Sequence, residues 1–185
     1  MKHIFKYQLF IIAALIFTSC SNDDNTPTVV NEEEIITTLV AIFSPTTGGA
    51  NVTYKSLDLD GDGPNDPVIS NTGNLAANTT YNVAITLLNE TESPLENITA
   101  EVEEEADEHQ MFFLPGSGLN LTFEYSNFDS DGNPLGTRME ATTGDGSTGN
   151  LLVVLRHEPS KPNNGTLADA GGETDISVSF PVTIQ

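Results

Sequence analysis

Tryptophan is absent from this 185-residue chain, and cysteine occurs once. With no Trp, four Tyr and nine Phe, the chain is poorly supplied for a platform that stacks sugars on aromatic faces. A single thiol excludes a disulfide within one chain, so packing must supply the stability. Basic residues are scarce: 6 Lys and Arg stand against 27 Asp and Glu, a formal net charge of −21. That sign repels nucleic acid and anionic lipid, which both need basic patches, and favours cations. Catalytic signatures are missing too. There is no Gly-rich phosphate loop, no G-x-S-x-G elbow and no cysteine placed as a nucleophile. The composition therefore argues against a nucleic-acid partner and gives no reading as an enzyme.

The one cysteine has a telling position. The chain begins MKHIFKYQLFIIAALIFTSC, with Lys2 and Lys6 ahead of an apolar run from Leu9 to Phe17. That run is too short to span a bilayer as a helix but suits the core of a secretory signal. Small residues Thr18 and Ser19 then lead into Cys20. The stretch resembles a bacterial lipoprotein signal, cut before a cysteine whose sulfur is lipidated. Each buried methylene of a lipid chain contributes about 0.8 kcal/mol, and several chains together hold firmly. The polar SNDDN that follows is similar to the export signal of surface lipoproteins in Bacteroidota. Residues 1–19 are thus expected to be a signal peptide, and residues 20–33 a lipidated cysteine and flexible acidic tether. The expected location is the outer membrane, on the cell surface, with a periplasm-facing anchor as the alternative.

Residues 34–185 are expected to form one domain, which suits their length. Eight segments alternate or run apolar in the manner of strands: residues 35–43, 51–58, 80–88, 110–114, 120–127, 137–142, 150–156 and 175–184. The last is the clearest, with Ile176, Val178, Phe180, Val182 and Ile184 on one face and Pro181 on the other, as befits an edge strand. NLLVVLR (150–156) is apolar on both faces, which suits a central strand. Turn-rich loops between short strands point to a mainly β chain, a single antiparallel β-sandwich of immunoglobulin-like architecture with about eight strands. One short helix is expected over about 94–107. Ser93 and Glu96 have capping-box spacing, Pro94 falls at the first helical position, and Leu95, Ile98, Val102 and Ala106 recur at helical spacing. Asn97 is the alternative cap.

Four features invite a chemical reading. In LDLDGDGPNDP, Asp58, Asp60 and Asp62 occupy positions 1, 3 and 5 of a loop with Gly63 at 6 and Asp66 at 9. Calcium wants several oxygen ligands around a sharp turn, and the segment resembles calcium loops of the EF-hand, dockerin and thrombospondin-repeat kind. Position 12 holds Ile69 in place of the bidentate acid. In NFDSDGNP, Asn127, Asp129, Asp131 and Gly132 repeat the spacing, but Arg138 at position 12 and the Asp-Gly pair favour a hairpin turn. The histidines downstream of Cys20 are His109 and His157, each beside a glutamate, Glu108 and Glu158. If their strands paired, the two imidazoles, Glu104 and one of those glutamates would make a transition-metal site. The ordinary alternative is hydrogen bonding, with Arg156 and Lys161 neutralising part of the acidic helix. Finally, six acids in residues 101–108 read as a solvated face more readily than as a general acid–base pair.

Several stretches together carry a family likeness: NEEEIITTL, DLDGDGPNDP, LAANTTYNVAITLLNE, NITAEVEEEADEHQMFF, LRHEPSKPN and GGETDISVSFPVTI. Over about residues 31–185 the chain resembles a family of flavobacterial lipoproteins of undefined role, often labelled "type 1 periplasmic binding fold superfamily protein". That label implies two doubly wound α/β lobes, whereas the strand pattern here implies one all-β body. The resemblance implies a lipoprotein and assigns no catalytic residue. The expectation from the sequence is a lipid-anchored, non-enzymatic binding or accessory module of the cell envelope, meeting an envelope protein or small ligand, with Ca2+ as the candidate ion. A transition-metal protein using His109 and His157, and a solute-binding component of an uptake system, are the alternatives.

Overall fold

Alternating apolar side chains need a second apolar face to cover them, and here the cover is another sheet. The structure, a computed structural model, describes residues 34–61 and 63–185. The expected signal peptide, Cys20, the tether to residue 33 and Asp62 lie outside the described residues. Among the described residues, nine strands and two short helices follow in the order β1 (Thr38–Pro45), β2 (Val52–Leu57), β3 (Val68–Asn71), β4 (Thr80–Leu88), α1 (Ile98–Glu104), β5 (His109–Pro115), β6 (Leu121–Tyr125), β7 (Arg138–Thr143), β8 (Ser147–His157), α2 (Leu167–Ala170) and β9 (Glu173–Ile184). They form two antiparallel sheets, one of six strands ordered β3-β2-β1-β4-β7-β6 and one of three ordered β5-β8-β9. The chain is a β-sandwich.

The core between the sheets comes from the inward halves of the alternating strands. Leu39, Ala41 and Phe43 of β1 and Val83, Ile85 and Leu87 of β4 face Leu151, Val153 and Leu155 of β8 and Val178, Phe180 and Val182 of β9. Aromatic rings bridge the layers. Tyr54 of β2 meets Phe180 of β9 at 5.8 Å between centroids, and Phe113 of β5 meets Phe123 of β6 at 4.9 Å. Such pairs contribute about 0.5–1.5 kcal/mol beyond their buried area. β8 is central in its sheet, as its two-sided apolar character implies. Its outer face buries Val154 with Phe112 of β5 and Ala170 of α2, a small second core. Pro181 lies exposed on β9, an edge strand.

Three elements differ from the sequence reading. The helix starts at Ile98 with Asn97, the alternative cap, ahead of it, rather than near Pro94, and it ends at Glu104. Asn89 and Glu96 exchange backbone hydrogen bonds as an antiparallel bridge, which keeps residues 95–96 out of the helix. Ile98 and Val102 still bury the expected face. The short strand β3 and the one-turn α2 carry too little pattern to read: all four β3 residues are exposed, and α2 has four residues.

Candidate metal centre

At one end of the sandwich the apolar core gives way to polar groups. Met111 and Phe113 point inward from β5, and two residues before Met111 on the same face stands His109. Leu151, Val153 and Leu155 point inward from β8, and the same parity brings His157 to that face. The β5–β8 register pairs His109 with His157 directly. Their rings stack at 4.7 Å between centroids with an interplanar angle of 20°. Both are buried, His109 at 0% and His157 at 3% exposure.

Two carboxylates close on this pair from other elements. Asp175 sits on β9 at an irregularity. Leu155 pairs with Ile176 and Arg156 with Thr174, so Asp175 is the extra residue of a β-bulge. Strict alternation would put Asp175 outward with Ser177 and Ser179. The bulge turns it inward instead, and its side chain is fully buried. Glu34 comes from the segment leading into β1, on the opposite sheet, with a side chain only 9% exposed.

Glu34 Oε1 lies 2.8 Å from His109 Nε2, and Asp175 Oδ2 lies 4.0 Å from the same nitrogen. His157 Nδ1 is 3.9 Å from Glu34 Oε2 and 3.8 Å from Asp175 Oδ1. One ligand atom from each of the four residues falls within 4.8 Å of all the others. Ligands about 2.1 Å from a tetrahedral ion stand about 3.4 Å apart, so a modest contraction suffices.

The hydrogen bonds say which atoms are spoken for. His109 Nδ1 donates to the carbonyl of Glu105, 3.1 Å away, because a carbonyl can only accept. This leaves Nε2 facing the Glu34 carboxylate outside good hydrogen-bond geometry. A neutral ring would set a lone pair against an anion there, so the arrangement calls for a cation, either a proton or a metal. Burial opposes charge on His109, but the neighbouring Glu34 and Asp175 outweigh it and raise its pKa above the ordinary value. Burial likewise opposes charge on Glu34, and His109 more than offsets it, so Glu34 stays low. Among the described residues, Glu34 Oε2 and both ring nitrogens of His157 meet no hydrogen-bond partner. Leaving such groups buried and unpaired costs about 1–3 kcal/mol each. A cleft of about 470 Å³ runs beside the cluster, with Glu34, Asp58, Asp60, Asp175 and Ile176 in its wall.

The other sequence candidates fare differently. Glu104, expected as a ligand, belongs to neither cluster of possible metal ligands, whereas Glu108 and Glu158 join His157 in a second group. Arg156 donates to Gly172 O and to Thr174, away from the helix. Lys161, with a side chain only 6% exposed, donates to the carbonyls of Ala106 and His109, each 2.6 Å away, and lies 3.3 Å from Asp129. Lys161 thus lies against the end of the acidic run, where Asp107 attracts it, and helix α1 itself is met by Arg138, 3.1 Å from Glu103.

In the loop after β2, Asp60 accepts from Asn65 Nδ2 at 2.7 Å, while Asp58 Oδ1 is buried without a hydrogen-bond partner among the described residues. Asp58, Asp60 and Asp66 form no ligand cluster among the described residues. The Asn127–Gly132 stretch is the connection between β6 and β7, as the hairpin reading expects. Its Asp129 accepts from the amides of Asp131 and Asn133.

Sequence reasoning found the histidines and missed Glu34 and Asp175. Glu34 is one of three consecutive glutamates with no spacing signal. For Asp175 the available hint was Gly171-Gly172 just before the strand, a sign of close backbone approach. No family model, curated protein or solved structure matches this chain. Its function is therefore read from the site itself.

Proposed function

We propose that this chain is a lipid-anchored, non-enzymatic protein of the cell envelope whose β-sandwich holds one divalent transition-metal ion at Glu34, His109, His157 and Asp175. One observation carries the reading: two imidazoles and two carboxylates converge in a buried place where His157 and Glu34 Oε2 have no hydrogen-bond partner among the described residues. Two carboxylates and two neutral imidazoles balance a dication, so the buried assembly is electrically neutral. A set of two nitrogens and two oxygens suits Zn2+, and the general affinity order makes Cu2+ the strongest competitor. The four ligands fill a tetrahedron, which favours holding an ion over catalysis at an open position. The lipid anchor rests on the sequence around Cys20, and the strongly negative charge favours a cation-rich surface.

The test is zinc titration of metal-stripped full-length protein, read by native mass spectrometry and thermal unfolding. Wild type should take up zinc and unfold at a higher temperature, and H109Q/H157Q should do neither. Uptake indifferent to both histidines would refute the site. Labelled fatty acid should be incorporated by the wild type and not by C20A.

The cleft supports a second reading, in which the body binds a small solute for an uptake system. Its wall combines acidic groups with Ile35, Ile36 and Leu59. Calcium in the Asp58–Asp66 loop is favoured by the buried Asp58 oxygen and disfavoured by the engagement of Asp60 with Asn65.

A further inference from the structure

The geometry points to a second cation subsite on the outer side of the same histidine, made by His157 Nε2 with the carboxylates of Glu108 and Glu158, so that the His157 ring bridges two metal ions. This rests on the inner site proposed above and extends it.

The two nitrogens of His157 face two different groups of acids. Nδ1 looks to Glu34 and Asp175, at 3.9 and 3.8 Å. Nε2 lies 3.9 Å from Glu108 Oε2, and one ligand atom from each of Glu108, His157 and Glu158 falls within 4.8 Å of the others. A metal-ligating histidine ordinarily ties down its far nitrogen by donating to a carbonyl or carboxylate. His109 does this with Glu105. His157 does not: its Nε2 is buried, without a hydrogen-bond partner among the described residues, and 3.9 Å is too long for such a bond. It is a buried ligand atom facing the Glu108 carboxylate, and Glu158 offers a further oxygen to the same group.

The backbone fixes where those two residues stand. Glu158 N donates to Glu108 O at 2.7 Å, clamping the two residues side by side. Glu158 takes φ 47°, the left-handed region that a residue with a side chain rarely adopts. Gly172, at φ 69°, presses on this turn, and a Cβ there would collide with the carbonyl oxygen of His157. The turn cannot relax without displacing that strand end. Strain of this kind accompanies sites where a side chain must be presented in a fixed direction.

The two subsites differ in character. The inner ion would be enclosed. The outer one would keep water in its remaining positions, because the Glu108 side chain is 52% exposed and Glu158 is exposed. Binding ions at both nitrogens converts the ring to imidazolate, and its N–H proton passes to solvent. The outer ion should therefore bind more weakly and exchange faster.

The experiment uses metal-stripped full-length protein loaded with Cu2+, with ions counted by native mass spectrometry and spin recorded by electron paramagnetic resonance. The expected result is two ions per chain. The second should extinguish much of the signal of the first, because an imidazolate bridge couples the two spins. E108Q/E158Q changes two exposed side chains and should leave the fold intact by circular dichroism. It should hold one ion with an undiminished single-copper signal. Wild type that binds one ion and matches E108Q/E158Q would overturn the outer subsite and leave the inner one standing. Two ions with independent signals would overturn the bridge. Wild type that binds none would overturn both.

Discussion

Asp129 and Glu34 are both carboxylates drawn in against the body, yet they are treated in opposite ways. The hairpin loop around Asp129 is dense in acids, and its carboxylate is met by Asn133, by the Asp131 amide and by the ammonium of Lys161. Burial would raise its pKa, but those donors outweigh it and hold it below the ordinary value. At the other region, Glu34 and Asp175 close on two stacked imidazoles, and among the described residues no hydrogen bond answers Glu34 Oε2 or either nitrogen of His157. The loop whose acids repeat a calcium-loop spacing is satisfied by its own amides and by Lys161, while among the described residues the region of the stacked histidines keeps unmet ligand atoms on Glu34 and His157. Acid density alone does not mark where buried donors and acceptors go unpaired.

Lys161 joins the two regions, so its removal should have the largest effect. K161A takes the counter-charge from Asp129 and the donor from the His109 carbonyl. Breaking a buried pair from one side costs about 3–5 kcal/mol, measurable by urea unfolding. Zinc affinity should fall with it, and an unchanged affinity would show that the two regions are independent.

Next in size is the ion itself. At a hundredfold excess over Kd, zinc should stabilise the wild type by about 2.7 kcal/mol and H109Q/H157Q not at all. Uptake should weaken as the solution is acidified, because protons compete for the ligands.

A pH scan sharpens the Asp129 side. Its folded pKa is depressed, so its contribution is present above the ordinary value of 3.8 and lost as pH falls through the lower folded value. D129N should lose that dependence and be the less stable protein at neutral pH.

The smallest effect belongs to Asp60, exposed and held by Asn65. D60N should change stability by less than about 0.5 kcal/mol, and millimolar calcium should leave the melting temperature of the wild type unmoved. A calcium-dependent rise abolished by D60N would transfer the cation reading to that loop and undo the comparison.

The fold was legible because its signal is periodic. Strands such as β4 and β9 display a full face of buried residues at every second position. β3 escaped because a wholly exposed strand has no such contrast. The helix was placed too early because Ser93 and Pro94 imitate a helix start, while the Asn89–Glu96 bridge that forestalls it is a tertiary contact. The site was half legible. His109 and His157 are rare residues in this chain and draw notice by scarcity. Glu34 is hidden in a run of like residues. Asp175 is worse than hidden, since period two assigns it to the wrong face. A single extra residue opposite Arg156 reverses that parity, and local composition does not encode where a bulge will fall.

If the proposed ion binds, Glu34 would also bear on how the molecule responds to being pulled. It lies just ahead of β1, a strand of the six-stranded sheet, while its carboxylate meets partners on β5, β8 and β9 of the other. An ion seated there would stitch one layer to the other just ahead of β1. Tension arriving from upstream would then load coordination bonds before it could unzip the β1 ladder, and the metal would act as a rivet against mechanical peeling.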